Sequence, residues 1–337
     1  MKFLRFLLFP FAVIYNVVTT IRNFFFDVGF FKQTSFKTPV IVVGNLSVGG
    51  TGKTPQIEYL IRLLKDEFKT SVLSRGYKRK TKGYVLLNET HFAEDVGDEP
   101  LQYFKKFKNI NIVVDENRVE GITKLVKDKS PEVILLDDAY QHRKVKGSFY
   151  ILLTKFNDLF ADDFLLPTGN LRESRIGAKR ADVILVTKCP ENLTEASKNE
   201  ILRKLKKYHK KVFFTTISYN LKTSGSQEVP VSHLSDYEVL LITGIANSTP
   251  LLSFLSDKNI SYTHLKYTDH HHFTKKEIED IKKEFLGFKS AKKLILTTEK
   301  DYVRLESKLE ELSFLGIQTS FLENKEEFNL IIKNHIK

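Results

Sequence analysis

Apolar residues along this chain fall into short continuous runs that alternate with segments of helical periodicity. The runs at 40–43, 133–136 and 183–186 consist of Val, Ile and Leu, and positions 57–64 place apolar residues three or four apart. Continuous apolar strands that alternate with amphipathic helices are typical of a parallel sheet covered on both faces. We therefore predict an α/β fold with helices on both faces of its sheet.

The second half of the chain repeats this alternation with its own elements. Apolar runs at 239–243 and 293–297 predict further strands, and the stretch before them turns polar after 212–214. A second, smaller α/β domain follows from this pattern. Beyond the N-terminal segment, the predicted organisation is a first domain over 28–212, a linker over 213–235 and a C-terminal α/β domain over 236–337.

Residues 1–27 form a strongly apolar segment with few charges. The 16 uncharged residues between Arg5 and Arg22 would span about 24 Å as a helix, which is short of the ~30 Å hydrocarbon core. Pro10 is expected to bend or restart that helix. We therefore predict an N-terminal membrane-interface helix over 1–27, with Lys2, Arg5 and Arg22 at the lipid headgroups.

Other interpretations of this segment stay open at this point. Its composition also suits a core helix of a soluble domain or a single spanning anchor. A signal peptide fits less well, because Asn23-Phe24-Phe25-Phe26 stands where small residues would mark a cleavage site.

Composition adds an expectation about partners. The 337 residues are 42% hydrophobic and 28% charged, which are globular values, and the net charge is +12. Such a charge suits a nucleic acid, a membrane surface or a phosphorylated substrate. Because the chain carries no nucleic-acid-binding signature, we expect no nucleic acid partner. Cys189 is the single cysteine, so no internal disulfide can form.

A glycine-rich loop follows directly after the first apolar run. It is close to the phosphate-binding pattern G-x-x-x-x-G-K-[ST], in which the lysine reaches the β- and γ-phosphates and the hydroxyl holds Mg²⁺. Backbone N–H groups of such a loop face phosphate oxygens. The predicted nucleotide-binding residues are Ser47, Val48, Gly49, Gly50, Thr51, Gly52, Lys53 and Thr54.

The loop departs from the pattern where Ser47 replaces a glycine. Gly49 and Gly50 keep the loop permissive to positive φ. A glycine turn without a ligand is the weaker interpretation, because the preceding strand and a second acidic motif agree with a phosphate site. The fold class becomes a P-loop NTPase-type sheet.

The acidic motif is Asp137-Asp138, at the end of the predicted strand 133–136. Strand ends of a parallel sheet line the ligand crevice, and a carboxylate there can hold Mg²⁺ opposite Thr54. Asp137 is the primary candidate metal partner and Asp138 the second.

Two further clusters could handle the attacking oxygen. They are Asp98-Glu99 before Pro100, and Asp269 followed by His270, His271 and His272. An aspartate paired with a histidine can position and deprotonate an acceptor hydroxyl. Three adjacent histidines cannot all face one way, so a three-histidine zinc site is disfavoured.

In this order, the motifs resemble those of the tetraacyldisaccharide 4′-kinase family, the membrane-associated lipid A kinases of Gram-negative bacteria. The resemblance covers nearly the whole chain, and the family also lacks glycine at the Ser47 position. The matching segments are 43–55, 74–77, 97–100, 136–143, 166–173, 244–247, 269–270 and 298–301.

The resemblance implies an ATP- and Mg²⁺-dependent kinase that phosphorylates the 4′-hydroxyl of tetraacyldisaccharide 1-phosphate, giving lipid IVA. It implies a site on the cytoplasmic face of the bacterial inner membrane, peripheral or monotopic, without an obligate protein partner. Asp98 would be the base, His270 its partner, and Lys53 and Arg172 further catalytic residues. The other implied site residues are Arg118 and Gln141 for binding, Thr54, Glu99, Asp137 and Asp138 for the metal, and Arg75, Tyr77 and His142 nearby.

The chain departs from the family at Lys78-Arg79-Lys80, where glycine is common, and at Asn170. An alternative function is a membrane-associated P-loop ATPase acting on a protein partner. Val48 argues against it, because positioning ATPases often carry lysine there. A GTPase is unsupported, since Thr187-Lys188-Cys189-Pro190 lacks the base-reading Asn and Asp. A nucleic-acid-binding protein rests on charge alone.

Overall fold

The computed structural model describes residues 5–337, whose strands form two sheets. The helices are α1 (Phe9–Asp27), α2 (Lys53–Leu64), α3 (Ala93–Val96), α4 (Asp98–Lys106), α5 (Arg118–Lys129), α6 (Glu195–Leu205), α7 (Thr249–Asp257), α8 (Lys275–Leu286), α9 (Glu299–Leu305) and α10 (Lys325–Ile336). The strands are β1 (Val40–Asn45), β2 (Thr70–Ser74), β3 (Val85–Leu86), β4 (Asn111–Val114), β5 (Val133–Asp137), β6 (Phe149–Lys155), β7 (Val183–Thr187), β8 (Lys211–Tyr219), β9 (Ser224–Gly225), β10 (Glu238–Thr243), β11 (Tyr262–Lys266), β12 (Lys293–Thr298), β13 (Leu312–Leu315) and β14 (Ile317–Phe321).

The larger sheet has the strand order β14-β8-β7-β6-β1-β5-β2-β4-β3. Its interior pairs are parallel, and only the two edge pairs, β14 with β8 and β3 with β4, are antiparallel. Every residue of β1, β5 and β7 is buried, as the continuous apolar runs predicted. Val43 pairs with Asp137, so the glycine loop and the acidic motif leave the same edge of the sheet.

The smaller sheet has the order β11-β10-β12-β13-β9, parallel except for β9. Val239 and Leu241 enter one apolar cluster, while Leu240 and Ile242 enter another on the opposite face. Successive side chains of a strand point to opposite faces, so β10 is buried on both. The predicted second α/β unit is therefore present.

The two sheets divide the chain differently from the predicted domains. The expected linker over 213–235 begins with β8 of the larger sheet. After the smaller sheet the chain returns, because β14 pairs with β8 and α10 buries Phe328 and Ile332 in the larger core. The predicted boundaries at 212 and 236–337 did not include this return of the chain to the larger sheet. Strands about a hundred residues apart can pair without any local signal in the sequence.

The N-terminal helix α1 lies on the larger unit with most of its apolar surface uncovered. Pro10, which was expected to bend or restart the helix, stands in the first turn of α1, where a helix accommodates proline. Among its residues only Ala12, Thr19 and Phe26 are buried, while Phe11 and Ile14 are each 61% exposed. Within 5–337, α1 is the helix long and apolar enough to cross a membrane, on length and composition alone. The predicted headgroup contact of Lys2 lies outside the described residues.

Candidate active site

A cavity of about 1660 Å³ opens at the edge of the larger sheet where β1 and β5 end. The smaller unit closes its far side with the turns that follow β10 and β11. The cavity therefore brings together segments from both sheets. Its predicted site residues are Val48, Gly49, Gly50, Thr51, Gly52, Lys53, Thr54, Glu99, Arg118, Asp137, Asp138, Gln141, Arg172 and His270.

The glycine loop has the conformation that a phosphate cradle requires. Gly49 and Gly52 adopt φ of +101° and +86°, which residues with a Cβ rarely reach. Lys53 begins α2, so the loop delivers its backbone N–H groups and the positive end of the helix to one point. Ser47, the departure from the pattern, is buried and pairs across a bridge with Leu171.

The two aspartates at the end of β5, Asp137 and Asp138, differ sharply in environment. Asp138 pairs with Lys53 at 3.6 Å and with Arg172 at 3.0 Å. Burial would raise the pKa of Asp138, but these two cations outweigh it and the pKa falls. Burial, together with the charge of Asp138, raises the pKa of Asp137 to about 7. Asp137 Oδ1 is buried without a hydrogen-bond partner among residues 5–337.

A second charged group bridges the two units. Asp98 opens α4, and its Oδ2 lies 2.8 Å from Nδ1 of His270. Lys300 Nζ lies 3.0 Å from the other ring nitrogen, Nε2. Because an ammonium can only donate a hydrogen bond, Nε2 of His270 is the acceptor. Nδ1 therefore carries the ring proton and donates a hydrogen bond to Asp98. Of the three adjacent histidines, His270 is therefore the one that meets Asp98.

The electrostatics keep Asp98 ionised. Burial would raise the pKa of Asp98, but the hydrogen bond from His270 and the charge of Arg304 outweigh it and lower the pKa. Glu99, the next residue, pairs with Lys300 at 3.4 Å. Asp138 and His270 both adopt positive φ, 46° and 58°, a region that Asp and His tolerate better than most residues.

Cationic and polar side chains occupy the wall between α1 and α5. Arg118 is buried, and its Nε and Nη2 have no hydrogen-bond partner among residues 5–337. Burial, reinforced by the charges of Arg118 and Arg75, lowers the pKa of His142 to about 4, so this imidazole is neutral at neutral pH. Gln141 donates to the carbonyl of Asn45 at 2.8 Å.

Helix α1 is tied directly to the residues that line the cavity. The Tyr15 hydroxyl donates to the carbonyl of Arg172 at 2.8 Å, and Arg22 donates to the carbonyl of Gln141 at 2.7 Å. Asn23 donates to the buried Glu173. The apolar helix therefore holds the backbone of two predicted site residues.

Several functional candidates have no signal in the sequence. Arg304 contacts Asp98, Tyr103 reaches Asp137, and Lys188 lies over the glycine loop, 3.9 Å from where a Cβ on Gly50 would stand. The motif at 298–301 indicated the region of α9 in the sequence, but it did not indicate Arg304, which lies three residues after Asp301. One helical turn separates Asp301 from Arg304, so only the helix reveals that both face one way.

The donor set fits Mg²⁺ held jointly with a triphosphate. Residues 5–337 contain no cluster of three or more His, Cys, Asp or Glu side chains arranged as a metal site. Mg²⁺ typically uses one or two carboxylates and completes its shell with phosphate oxygens and waters. Asp137 Oδ1, orphaned beside the glycine loop, supplies such a carboxylate oxygen.

A glycine loop on a parallel sheet that shares its cavity with His270, the hydrogen-bond partner of Asp98, is the arrangement of a P-loop phosphotransferase. Comparison with known proteins narrows the class, because residues 4–337 match the tetraacyldisaccharide-1-P 4′-kinase family, LpxK. This chain belongs to the tetraacyldisaccharide 4′-kinase family.

Individual relatives agree along their whole length. The tetraacyldisaccharide 4′-kinase of Flavobacterium johnsoniae is 51% identical, over 100% of this chain and 98% of its own. That of Flavobacterium psychrophilum is 52% identical with the same coverage. The crystal structure of LpxK from Aquifex aeolicus in complex with ATP has a TM-score of 0.81 at 31% identity, covering 99% of this chain and 100% of that one. The family resemblance and the α/β fold predicted from the sequence are confirmed.

Proposed function

We propose that this protein transfers the γ-phosphoryl group of ATP to the 4′-hydroxyl of tetraacyldisaccharide 1-phosphate. The observation that carries the proposal is the Asp98–His270 pair, 2.8 Å apart, whose His270 lines the same cavity as the glycine loop. A nucleotide switch needs only the loop. A kinase also needs a base for an acceptor hydroxyl on the far side of the phosphates.

The nucleotide side supplies position and positive charge. Backbone N–H groups of 48–54 hold the phosphate oxygens, and Lys53 reaches the β- and γ-phosphates. Arg172 offers its guanidinium beside the loop, held by Asn45 and by Asp138, the carboxylate that also pairs with Lys53. Phosphoryl transfer depends on such charge neutralisation more than on covalent participation by the protein.

The acceptor side removes a proton. His270 bonds Oδ2 of Asp98, and Arg304 also lies nearest this oxygen, at 3.0 Å. Both contacts are made at Oδ2, which leaves Oδ1 for the substrate. The acceptor oxygen bonds to the γ-phosphorus, the bond from that phosphorus to the bridging oxygen of ADP breaks, and the hydroxyl proton goes to Asp98 Oδ1.

Mg²⁺ would neutralise charge on the β- and γ-phosphates when bound. Thr54 and Asp137 are its proposed protein ligands, with Asp138 and Glu99 in its surroundings. The raised pKa of Asp137 agrees with this role, because a buried carboxylate short of positive charge favours a bound cation.

The lipid acceptor explains the N-terminal helix. Each CH₂ exposed to water costs about 0.8 kcal/mol, so a tetraacylated sugar stays in the bilayer and the enzyme must come to it. The uncovered apolar face of α1 would enter the membrane interface, and its bonds to Arg172 and Gln141 would set the cavity beside the headgroups. We propose a peripheral or monotopic position on the cytoplasmic face of the inner membrane, where ATP is available.

The direct test is a transfer assay in detergent micelles with γ-labelled ATP, Mg²⁺ and the 1-phosphorylated tetraacyldisaccharide. We expect label to enter the lipid, at the 4′-position by mass spectrometry. A 4′-deoxy acceptor is the matched control and should take up none. ATP consumption without labelled lipid would instead support a membrane-associated ATPase that acts on a protein partner.

A further inference from the structure

Arg304 is a buried cation that lies beneath the Asp98–His270 pair. It projects from α9 of the smaller unit with 9% of its surface exposed. Its Nη2 lies 3.0 Å from Oδ2 of Asp98, on α4 of the larger unit. Removing a guanidinium from water is costly, and a buried one persists where it is paired.

The same guanidinium reaches the histidine side of the pair. Arg304 Nη1 donates to the carbonyl of His271, at 3.4 Å, one residue after His270. It also lies 3.4 Å from Asp301, which accepts the backbone N–H of Gly244 at 2.9 Å. The carbonyl of Gly244 in turn accepts the backbone N–H of His270. Arg304 is thus linked to both members of the pair.

The two carboxylate oxygens of Asp98 differ in their contacts, and the difference bears on the reaction. His270 and Arg304 both approach Oδ2, so the carboxylate is held by one oxygen and its plane is fixed. A carboxylate held this way aims Oδ1 in one direction. Misplacement of a reacting group by about 1 Å can cost 10²-fold in rate.

We propose that Arg304 is a positioning residue for phosphoryl transfer, which fixes Asp98 against His270 across the two units and aims Asp98 Oδ1 at the acceptor hydroxyl. This inference rests on the proposed kinase function. Arg304 does not line the cavity, so it would act through Asp98.

The residue type follows from the geometry. A guanidinium presents donors in a fixed plane, so it can meet Asp98 with one nitrogen while the other serves the His271 carbonyl. A lysine ammonium would keep the charge without that fork. Arg304→Lys should therefore recover part of the function that Arg304→Met loses.

The test measures kcat and the ATP dissociation constant separately in Arg304→Met and Arg304→Lys. We expect kcat to fall about 10- to 100-fold in Arg304→Met, with ATP affinity within about twofold of wild type. The kcat of Arg304→Lys should lie between that of Arg304→Met and that of wild type. Arg203→Met, the same exchange on the exposed face of α6, is the matched control and should behave as wild type.

A spectroscopic readout separates positioning from transfer. The proton between His270 and Asp98 should give a downfield ¹H resonance, assigned by its loss in Asp98→Asn, that is present in wild type and Arg203→Met but weakened or absent in Arg304→Met. If Arg304→Met does not fold, the same comparison uses Arg304→Lys, with a weaker signal expected. Unchanged kcat, or an unchanged resonance in a folded variant, would overturn the proposal. Absence of lipid phosphorylation by wild type, with the resonance still dependent on Arg304, would overturn the proposed function instead.

Discussion

The two halves of the candidate site are built in opposite ways. The nucleotide half comes from one stretch, 47–54, together with the end of the neighbouring strand β5. The acceptor half joins Asp98, on α4 of the larger unit, to His270, in the turn after β11 of the smaller unit, and the two are 172 positions apart. The first half is therefore fixed by local backbone geometry, and the second by how two units meet.

This difference indicates that nucleotide binding and activation of the acceptor depend on separate parts of the structure. A loop held between the buried strand β1 and the start of α2 aims its backbone N–H groups at one point, which suits the binding of a phosphate chain. A pair that spans two units is complete only while those units are together, so the base is assembled by tertiary packing. Damage to the first half should cost nucleotide binding and transfer, whereas damage to the second should cost transfer alone.

The largest effect is expected for Lys53→Ala. Losing the loop lysine removes ground-state binding as well as charge stabilisation, so kcat/KM for ATP should fall by on the order of 10³-fold or more. Labelled transfer and nucleotide titration measure both parts. Lys204→Ala, at a half-buried lysine of α6 that pairs with Glu200 and Asp162, carries the same charge change and should leave both unchanged. Normal ATP affinity in Lys53→Ala would remove this lysine from the nucleotide site.

Asp98→Asn tests the other half. The amide keeps the size of the side chain but cannot take the acceptor proton, so kcat should fall roughly 10²- to 10³-fold. ATP affinity should change by less than about threefold. Steady-state kinetics measures kcat, and an equilibrium nucleotide titration measures the ATP affinity. Equal losses in both would contradict the division between the halves.

A third prediction concerns the membrane face, which serves the acceptor half alone. Replacing Phe11 and Ile14 with serine removes two exposed apolar side chains of α1, and binding to lipid vesicles should weaken by roughly 10- to 100-fold. Nucleotide binding in solution should stay as in wild type. Leu330→Ser, at a comparably exposed leucine of α10, is the control for losing surface hydrophobicity. Unchanged vesicle binding would exclude α1 as the membrane contact.

The smallest effect is expected at the junction of the units, where Lys106 bridges Glu58 and Glu299 at 2.7 and 2.8 Å. Burial, assisted by the charge of Glu58, raises the pKa of Glu299 to about 7 from 4.5. Between those pH values the native protein holds a proton that the unfolded chain has released, so stability falls as pH rises through this window.

Glu299→Gln should weaken the dependence of stability on pH, because the amide cannot ionise. We expect the difference in melting temperature between pH 5 and pH 7.5 to shrink by about 2–5 °C. Glu311→Gln, the same exchange on an exposed turn, should leave it as in wild type. An unchanged slope in Glu299→Gln would mean that this carboxyl does not titrate in the window.

The same contrast explains what the sequence could predict. The parallel sheet, the glycine loop and Asp137 follow from local patterns of apolar runs, glycine and strand ends. The family resemblance named His270 as the partner of Asp98, but the residues alone left His271 and His272 open, because the turn that selects His270 depends on its positive φ. Arg304 and the return of β14 to the larger sheet depend on contacts between distant segments, which no local pattern records.

The most direct test of assembly across the units is single-turnover transfer by His270→Gln from pre-bound, γ-labelled ATP to the lipid acceptor. We predict that the variant retains ATP as wild type does, within about twofold, while label enters the lipid at least about tenfold more slowly. Transfer at the wild-type rate would contradict it, because the smaller unit would then contribute nothing to the chemistry.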